Sequence, residues 1–332
     1  MTAEPKPSID PVRWQPPPSR PLPAPDLDRE LRIVMMPGPA PEDVVVDADG
    51  ALWTGLADGK IVRIDADTGT HTVVADTGGR PLGLAVARDG RLLICDSHRG
   101  LLRMDTGTGE FESLVAEVDG RALTFCSNVV ESTDGTIYFT ESTDRFHYEY
   151  YKAAIFEARG AGSLFRRDPD GAVTRLASGL YFANGVTLTA DESALVVAET
   201  QGARVSKFWL TGPNAGSLVP LAAELPGYPD NISTGADGRI WVAMVSDRNA
   251  VAEWMAPKAP ILRKLLWRLP YGWLPDIAPL VWVLGLDPDD GRVLTQMRST
   301  HPSFGSTTGV VQTGDRLWLA GIGADAVACL DL

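Results

Sequence analysis

Short runs of apolar, β-branched and aromatic residues alternate with Asp-Gly turns along most of this chain, and the spacing of helices is nearly absent. A turn followed by such a run recurs six times. Asp49-Gly50 precedes Ala-Leu-Trp-Thr-Gly, Asp89-Gly90 precedes Arg-Leu-Leu-Ile-Cys, and Asp134-Gly135 precedes Thr-Ile-Tyr-Phe-Thr. Asp191-Glu192, Asp237-Gly238 and Gly314-Asp315 open the remaining copies. A short apolar strand stands before each turn, and most copies add a third strand such as Lys60-Ile-Val-Arg-Ile-Asp65. Hairpins strung together in this way predict four-stranded antiparallel blades, and six of them make an all-β, six-bladed β-propeller, which protects its sheet edges by repetition around an axis.

The turn Asp residues are 40, 45, 57, 46 and 78 positions apart, so the third and fifth blades carry insertions. The third runs from Asp144 to about Gly162 and the fifth from Ser246 to about Pro279. In the fifth, Ile261, Leu262, Leu265, Leu266 and Leu269 share one helical face, opposed by Arg263, Lys264 and Arg268 with Trp267 on the polar side, which predicts a short amphipathic helix. The last blade has three strands of its own, and the run Leu31 to Met36 is expected to supply the fourth and close the ring.

Composition narrows the function. A hydrophobic content of 44% supports a large core, and a net charge of −13 leaves no basic footprint for nucleic acid. Cys95, Cys126 and Cys329 are too scattered for a disulfide framework or a metal site and read as packing. Residues 1–27 are rich in proline and lack a signal-peptide core, so they read as an extended arm of a cytoplasmic protein, with residues 28–332 forming the propeller.

The position seven residues before each turn Asp lies where an innermost strand begins, beside the central axis. It is occupied by Glu42, Leu82, Ser127 with Asn128 next to it, Asn184, Asp230 and Thr308. Glu42, Asn128, Asn184 and Asp230 thus aim oxygen at one point. Two anionic and two neutral oxygens without His or Cys suit a hard divalent cation, for which Ca2+ is the candidate. Without one, carboxylates at a narrow axis would repel each other and be costly to desolvate. The loops on the same face bring His98 of the second blade and His147 and Tyr148 of the third insertion above the metal, with Asn231 beside Asp230.

The stretches Gly179-Leu-Tyr-Phe-Ala-Asn-Gly-Val-Thr-Leu188, Leu195-Val-Val-Ala-Glu-Thr200 and Leu225-Pro-Gly-Tyr-Pro-Asp-Asn-Ile-Ser233 resemble the strictosidine-synthase-like family, including its bacterial members and the animal adipocyte plasma-membrane-associated proteins. The likeness extends from about Pro39 to Leu332. The wider group of calcium propellers includes paraoxonases and gluconolactonases. The resemblance implies a catalytic calcium held by a Glu, Asn residues and an Asp, to which Glu42, Asn128, Asn184 and Asp230 look similar. The plant strictosidine synthases use a last-blade Glu, where this chain reads Ser306-Thr-Thr-Gly-Val310 with no acid.

The expected activity is therefore a calcium-dependent hydrolase of lactones or aryl esters, a lactonase or arylesterase acting on a small molecule, with Asp230 or His98 as the base. His147, Tyr148 and Asn231 would contact substrate, and the fifth-blade helix would offer an apolar wall over the mouth. A binding propeller with a structural calcium and a metal-independent condensing enzyme are the alternatives. Contact of the helix with a membrane surface is the less simple account of its pattern.

Overall fold

In the computed structural model, which describes residues 6–25 and 30–332, six four-stranded antiparallel sheets follow one another in chain order. In five of them the strands run in sequence from the axis outward. The sixth is assembled from both ends of the chain. Thr307–Thr313, Arg316–Gly321 and Ala326–Asp331 are joined on the outer edge by Arg32–Met35, which pairs antiparallel with the last strand. The ring is thus closed by the N-terminal strand, as the three-stranded last repeat required. Of the expected arm and propeller boundaries, positions 1–5 and 26–29 lie outside the described residues.

The turn chemistry explains the hairpins. Gly50 and Gly90 sit at φ +83° and +81°, which a side chain disfavours. In the fourth blade Glu192 adopts φ +54° instead, and its carboxylate accepts hydrogen bonds from Thr133 N–H (3.0 Å) and Oγ1 (2.7 Å) of the neighbouring blade. Inward-facing residues of adjacent sheets interlock into apolar layers between blades, where Trp53, Trp241, Trp282 and Trp318 are fully buried. Among the described residues no helix is long and apolar enough to cross a membrane.

Both insertions fold as helices on one face of the ring. The third-blade insertion holds α1 (Tyr151–Glu157), and the fifth holds α2 (Ala250–Met255) and α3 (Pro260–Leu266). Asn249 caps α2 by accepting from Ala252 N–H, and Pro260 opens α3, where its missing N–H costs nothing. The N-terminal segment straps the two insertions together. Val12 N–H donates to Glu157 O and Trp14 N–H to Ala256 O, while Arg248 donates to the carbonyls of Pro17 and Pro18.

One expectation is reversed. The apolar side of α3 does not face the mouth: Ile261 and Leu265 are 56% and 49% exposed, and the side turned inward carries Arg263 and Trp267, both buried. Arg263 donates to the carbonyls of Phe156 (2.7 Å), Ala256 (3.2 Å) and Val12. Trp267 packs on Phe156 and Tyr271, and its N–H bonds Pro7 O at 2.8 Å. The carbonyls of Phe156 and Val12, where helices and strap converge, need donors, and a guanidinium supplies several at once.

Candidate functional site

Five of the six inner strands break their ladder at the same place. Pairing skips from Pro81 to Leu84, Cys126 to Val129, Ala183 to Val186, Pro229 to Ile232 and Thr307 to Gly309, and in the first blade the strand begins at Val44, directly after Glu42 and Asp43. A bulge re-aims side chains that strict alternation would send to opposite faces. Two successive residues per blade therefore contribute to the axis, in two layers.

The upper layer is the floor of a cavity, lined by Glu42, Ser127, Asn184, Asp230 and Thr308. Leu82, the sixth member, packs with Phe125 and Phe146. The lower layer alternates a polar residue with glycine: Asp43, Gly83, Asn128, Gly185, Asn231 and Gly309. The glycines are required by close approach. A Cβ on Gly83 would stand 2.5 Å from Asn128 Cα, one on Gly185 2.6 Å from Asn231 Cα, and one on Gly309 2.8 Å from Asp43 Cα. The three polar side chains fill the middle. Asn128 Nδ2 donates to Asp43 Oδ2 (3.2 Å) and Asn231 Oδ1 (3.0 Å), and Asn231 Nδ2 donates up to Glu42 Oε2 (3.2 Å). Backbone N–H groups of Leu84 and Val186 donate to Asp43 and Asn128.

This arrangement redistributes the expected ligands. Glu42, Asn184 and Asp230 reach the floor together. Asn128 does not: its carboxamide is committed below, and the blade offers Ser127 Oγ instead, which donates to Asn184 Oδ1 at 2.9 Å. Asn231, expected at substrate, also lies in the lower layer and is buried. Asp43 was missed. Its signal was the alternation of polar residue and glycine one step after the aligned position. Cys95 and Cys126 are buried with their sulfurs 3.1 Å apart, and burial pushes the Cys95 thiol up.

Electrostatics at the floor favour an added cation. Glu42 and Asp230 are held well above the usual carboxylate range, first by burial and then by negative neighbours: Asp230 and Asp43 act on Glu42, and Asp43 acts on Asp230. Burial lifts Asp43 to about 7 despite three hydrogen bonds. Arg80, buried with its guanidinium 4.4 Å above the Tyr148 ring, is the one cation that lowers Glu42 among its main neighbours. Ionised together, the three carboxylates would exceed the one guanidinium by two negative charges, the charge of one divalent ion. Asp230 Oδ1 is buried without a partner among the described residues, an acceptor with nothing to accept from. Among those residues no cluster of three or more His, Cys, Asp or Glu is placed to hold a metal, so a cation here would rest on Glu42 and Asp230 with the neutral oxygens of Asn184 and Ser127. That donor set suits calcium.

Above the floor the walls are mostly apolar and aromatic: Trp14 from the strap, Phe125, Tyr148, Phe156, Phe182 and Tyr228. The space, counted out to its open mouth, is about 1230 Å³. Trp14 is stacked on Tyr181 with ring centres 5.0 Å apart. At the mouth Lys152 Nζ of α1 reaches Asp276 Oδ2 of the fifth insertion at 2.9 Å. Tyr148 lines the cavity. His98 and His147 are not among the lining residues. They stack on each other at 4.6 Å, with His98 Nε2 held by Glu149 at 2.8 Å and His147 Nδ1 by Ser97 O at 2.7 Å.

Comparison with known proteins agrees with this architecture. The model of a family described as the SMP-30/gluconolactonase/LRE-like region matches residues 41–258. Protein strictosidine synthase-like 6 of Arabidopsis thaliana is 34% identical over 300 residues, covering 88% of this chain and 79% of that protein. The adipocyte plasma membrane-associated protein of Salmo salar is 35% identical over 252 residues, covering 69% of this chain and 60% of that one. Among solved structures, a gluconolactonase of Xanthomonas campestris superposes with a TM-score of 0.68 at 21% identity, over 98% of this chain and 99% of its own. A calcium-binding regucalcin of Agrobacterium tumefaciens gives 0.63 at 18% identity, over 91% and 93%. At these identities the structural likeness is one of fold.

Proposed function

The chain belongs to the SMP-30/gluconolactonase/LRE-like family, and from that premise we propose that it is a calcium-dependent hydrolase of hydrophobic lactones or aryl esters. The observation that carries this reading is the unpartnered Asp230 Oδ1 beside Glu42, two buried carboxyl groups whose ionised forms lack a compensating cation at the bottom of an aromatic cavity. Glu42, Asp230, Asn184 and Ser127 would hold the ion. When bound, calcium supplies a fixed positive charge that polarises a carbonyl oxygen.

The chain's own groups do the rest. The walls of Trp14, Phe125, Phe182 and Tyr228 take the apolar part of a substrate and exclude bulk water. Asp230, which lines the floor, serves in this reading as the base, whereas His98 is held by Glu149 outside the lining. In this reading Asp230 takes the proton of the attacking water as its oxygen bonds the acyl carbon. It returns that proton to the leaving oxygen when the ester C–O bond breaks. The Asp43–Asn128–Asn231 layer keeps Glu42 oriented from below through the Asn231 amide. The sixth blade brings Thr308 to the floor and no acid, so the metal-free condensation of plant strictosidine synthases is not proposed.

The test is metal analysis of the purified protein joined to a panel of lactones, aryl esters and phosphotriesters, with and without chelator. Stoichiometric calcium and chelator-sensitive turnover are expected, both lost in Glu42→Ala and Asp230→Ala. Calcium that raises the melting temperature while the holoprotein turns over nothing on the panel would replace this reading with a ligand-binding propeller.

A further inference from the structure

The outer surface of the fifth-blade insertion has no partner in the fold. α3 turns Ile261, Leu262 and Leu265 to solvent, Leu269 follows them, and α2 adds Val251 and Trp254. Trp254 is 63% exposed and Trp273, in the turn Tyr271–Trp273, is 75% exposed. Two exposed tryptophans and five exposed aliphatic residues within 23 positions are far from the scattered apolar surface of a soluble protein. The inward side of the same segment is pinned by Arg263 and Trp267, so the exposure is built in: rotating α3 to hide its leucines would strand the Arg263 guanidinium and the carbonyls it serves.

Charge tells what covers this face. The protein carries −13 overall, yet residues 250–275 hold Lys258, Arg263, Lys264 and Arg268 against Glu253 alone. Lys264 is paired with Asp10 and Glu253 with Arg248, which leaves Lys258 and Arg268 as exposed cations beside the apolar face, Lys258 lying 5.3 Å from the Trp254 ring. Tryptophan and aliphatic side chains flanked by Lys and Arg are the chemistry of the boundary between lipid headgroups and acyl chains. A second copy of the chain fits less well, because a two-fold contact would set these cations against themselves. We propose that this face is a docking surface for an anionic membrane, with α3 lying in the plane of the lipid interface.

The position of the face gives it a use. α2 and the start of α3 line the cavity with Ala252, Met255, Ala256 and Arg263 while showing their other sides to solvent, so docking brings the mouth next to the lipid. This second step rests on the hydrolase reading and makes the substrates membrane-dissolved esters or lactones. Docking itself does not rest on it.

The test is sedimentation of the intact protein, with chelator present, on vesicles of phosphatidylcholine alone and of phosphatidylcholine with phosphatidylserine. Binding to the anionic vesicles is expected, weakened by salt and accompanied by a blue shift of tryptophan emission. K258E/R268E should partition about tenfold or more weakly, since each cation near such a surface contributes about 1 kcal/mol. W254S/W273S should abolish the blue shift; a melting curve matching the parent confirms that the variant is folded. Absence of binding to either vesicle, or unchanged binding by both folded variants, overturns the proposal. So does self-association that disappears in W254S/W273S, which assigns the face to a second copy. Glu42→Gln is expected to bind vesicles normally, so a failure of the hydrolase reading leaves this result standing.

Discussion

The floor of the site and its cover are built on opposite principles. At the floor, six strands deliver the same two register positions, the spacing is set by glycines in backbone contact, and every carboxamide of the lower layer is hydrogen-bonded. The cover is made of pieces far apart in sequence: the strap around Trp14, α1, and the α2–α3 segment, held by side chains that reach for unpaired carbonyls. The floor is polar and buried; the cover is aromatic inside and apolar outside. The difference teaches that the repeated geometry of a propeller axis can concentrate buried carboxyl groups, while the walls above them come from segments far apart in sequence.

The sharpest break of this contrast is Gly185→Ala. Its Cβ would stand 2.5 Å from Ile232 N and 2.6 Å from Asn231 Cα, backbone atoms that cannot swing aside. Denaturant unfolding should show a loss of about 3 kcal/mol or more, because the displaced strand carries Asp230 with it. A loss below about 1 kcal/mol would mean that the lower layer is not close-packed.

A second test uses pH. Asp43, at about 7 in the folded chain against 3.8 for a free side chain, binds a proton in the folded state that the unfolded chain has released, and Glu42 and Asp230 shift the same way. With chelator present, stability should be highest below pH 4 as far as these groups are concerned. It should be lost progressively as pH rises from about 4 through 7. Added calcium should flatten that slope. Melting curves across this range check both, and a chelated protein whose stability does not fall would contradict the charge imbalance.

The smallest effect belongs to the cover. Arg263→Met removes the donors to Phe156 O and Val12 O, for a loss of about 2 kcal/mol if the cover and ring unfold together. If the cover opens on its own, global unfolding is nearly unchanged and limited proteolysis cuts the strap faster. Either outcome locates the boundary between the two regions.

Much of this protein is decided by local chemistry and was therefore legible in one dimension. Asp-Gly turns and alternating apolar runs depend on neighbours a few residues apart, so the six blades, the insertions and closure by Arg32–Met35 followed from the pattern. So did the register that brings Glu42, Asn184 and Asp230 to one floor. Which of two adjacent polar residues faces the cavity was decided by the bulge in three dimensions: it put Ser127 up and Asn128 down, Asp230 up and Asn231 down, because breaking the ladder cancels the alternation on which a side-chain assignment relies. Tertiary structure also chose the buried side of α3. Periodicity defines an apolar face but not its partner, and here the carbonyls of Phe156 and Val12 claimed Arg263, leaving Leu262 and Leu265 exposed.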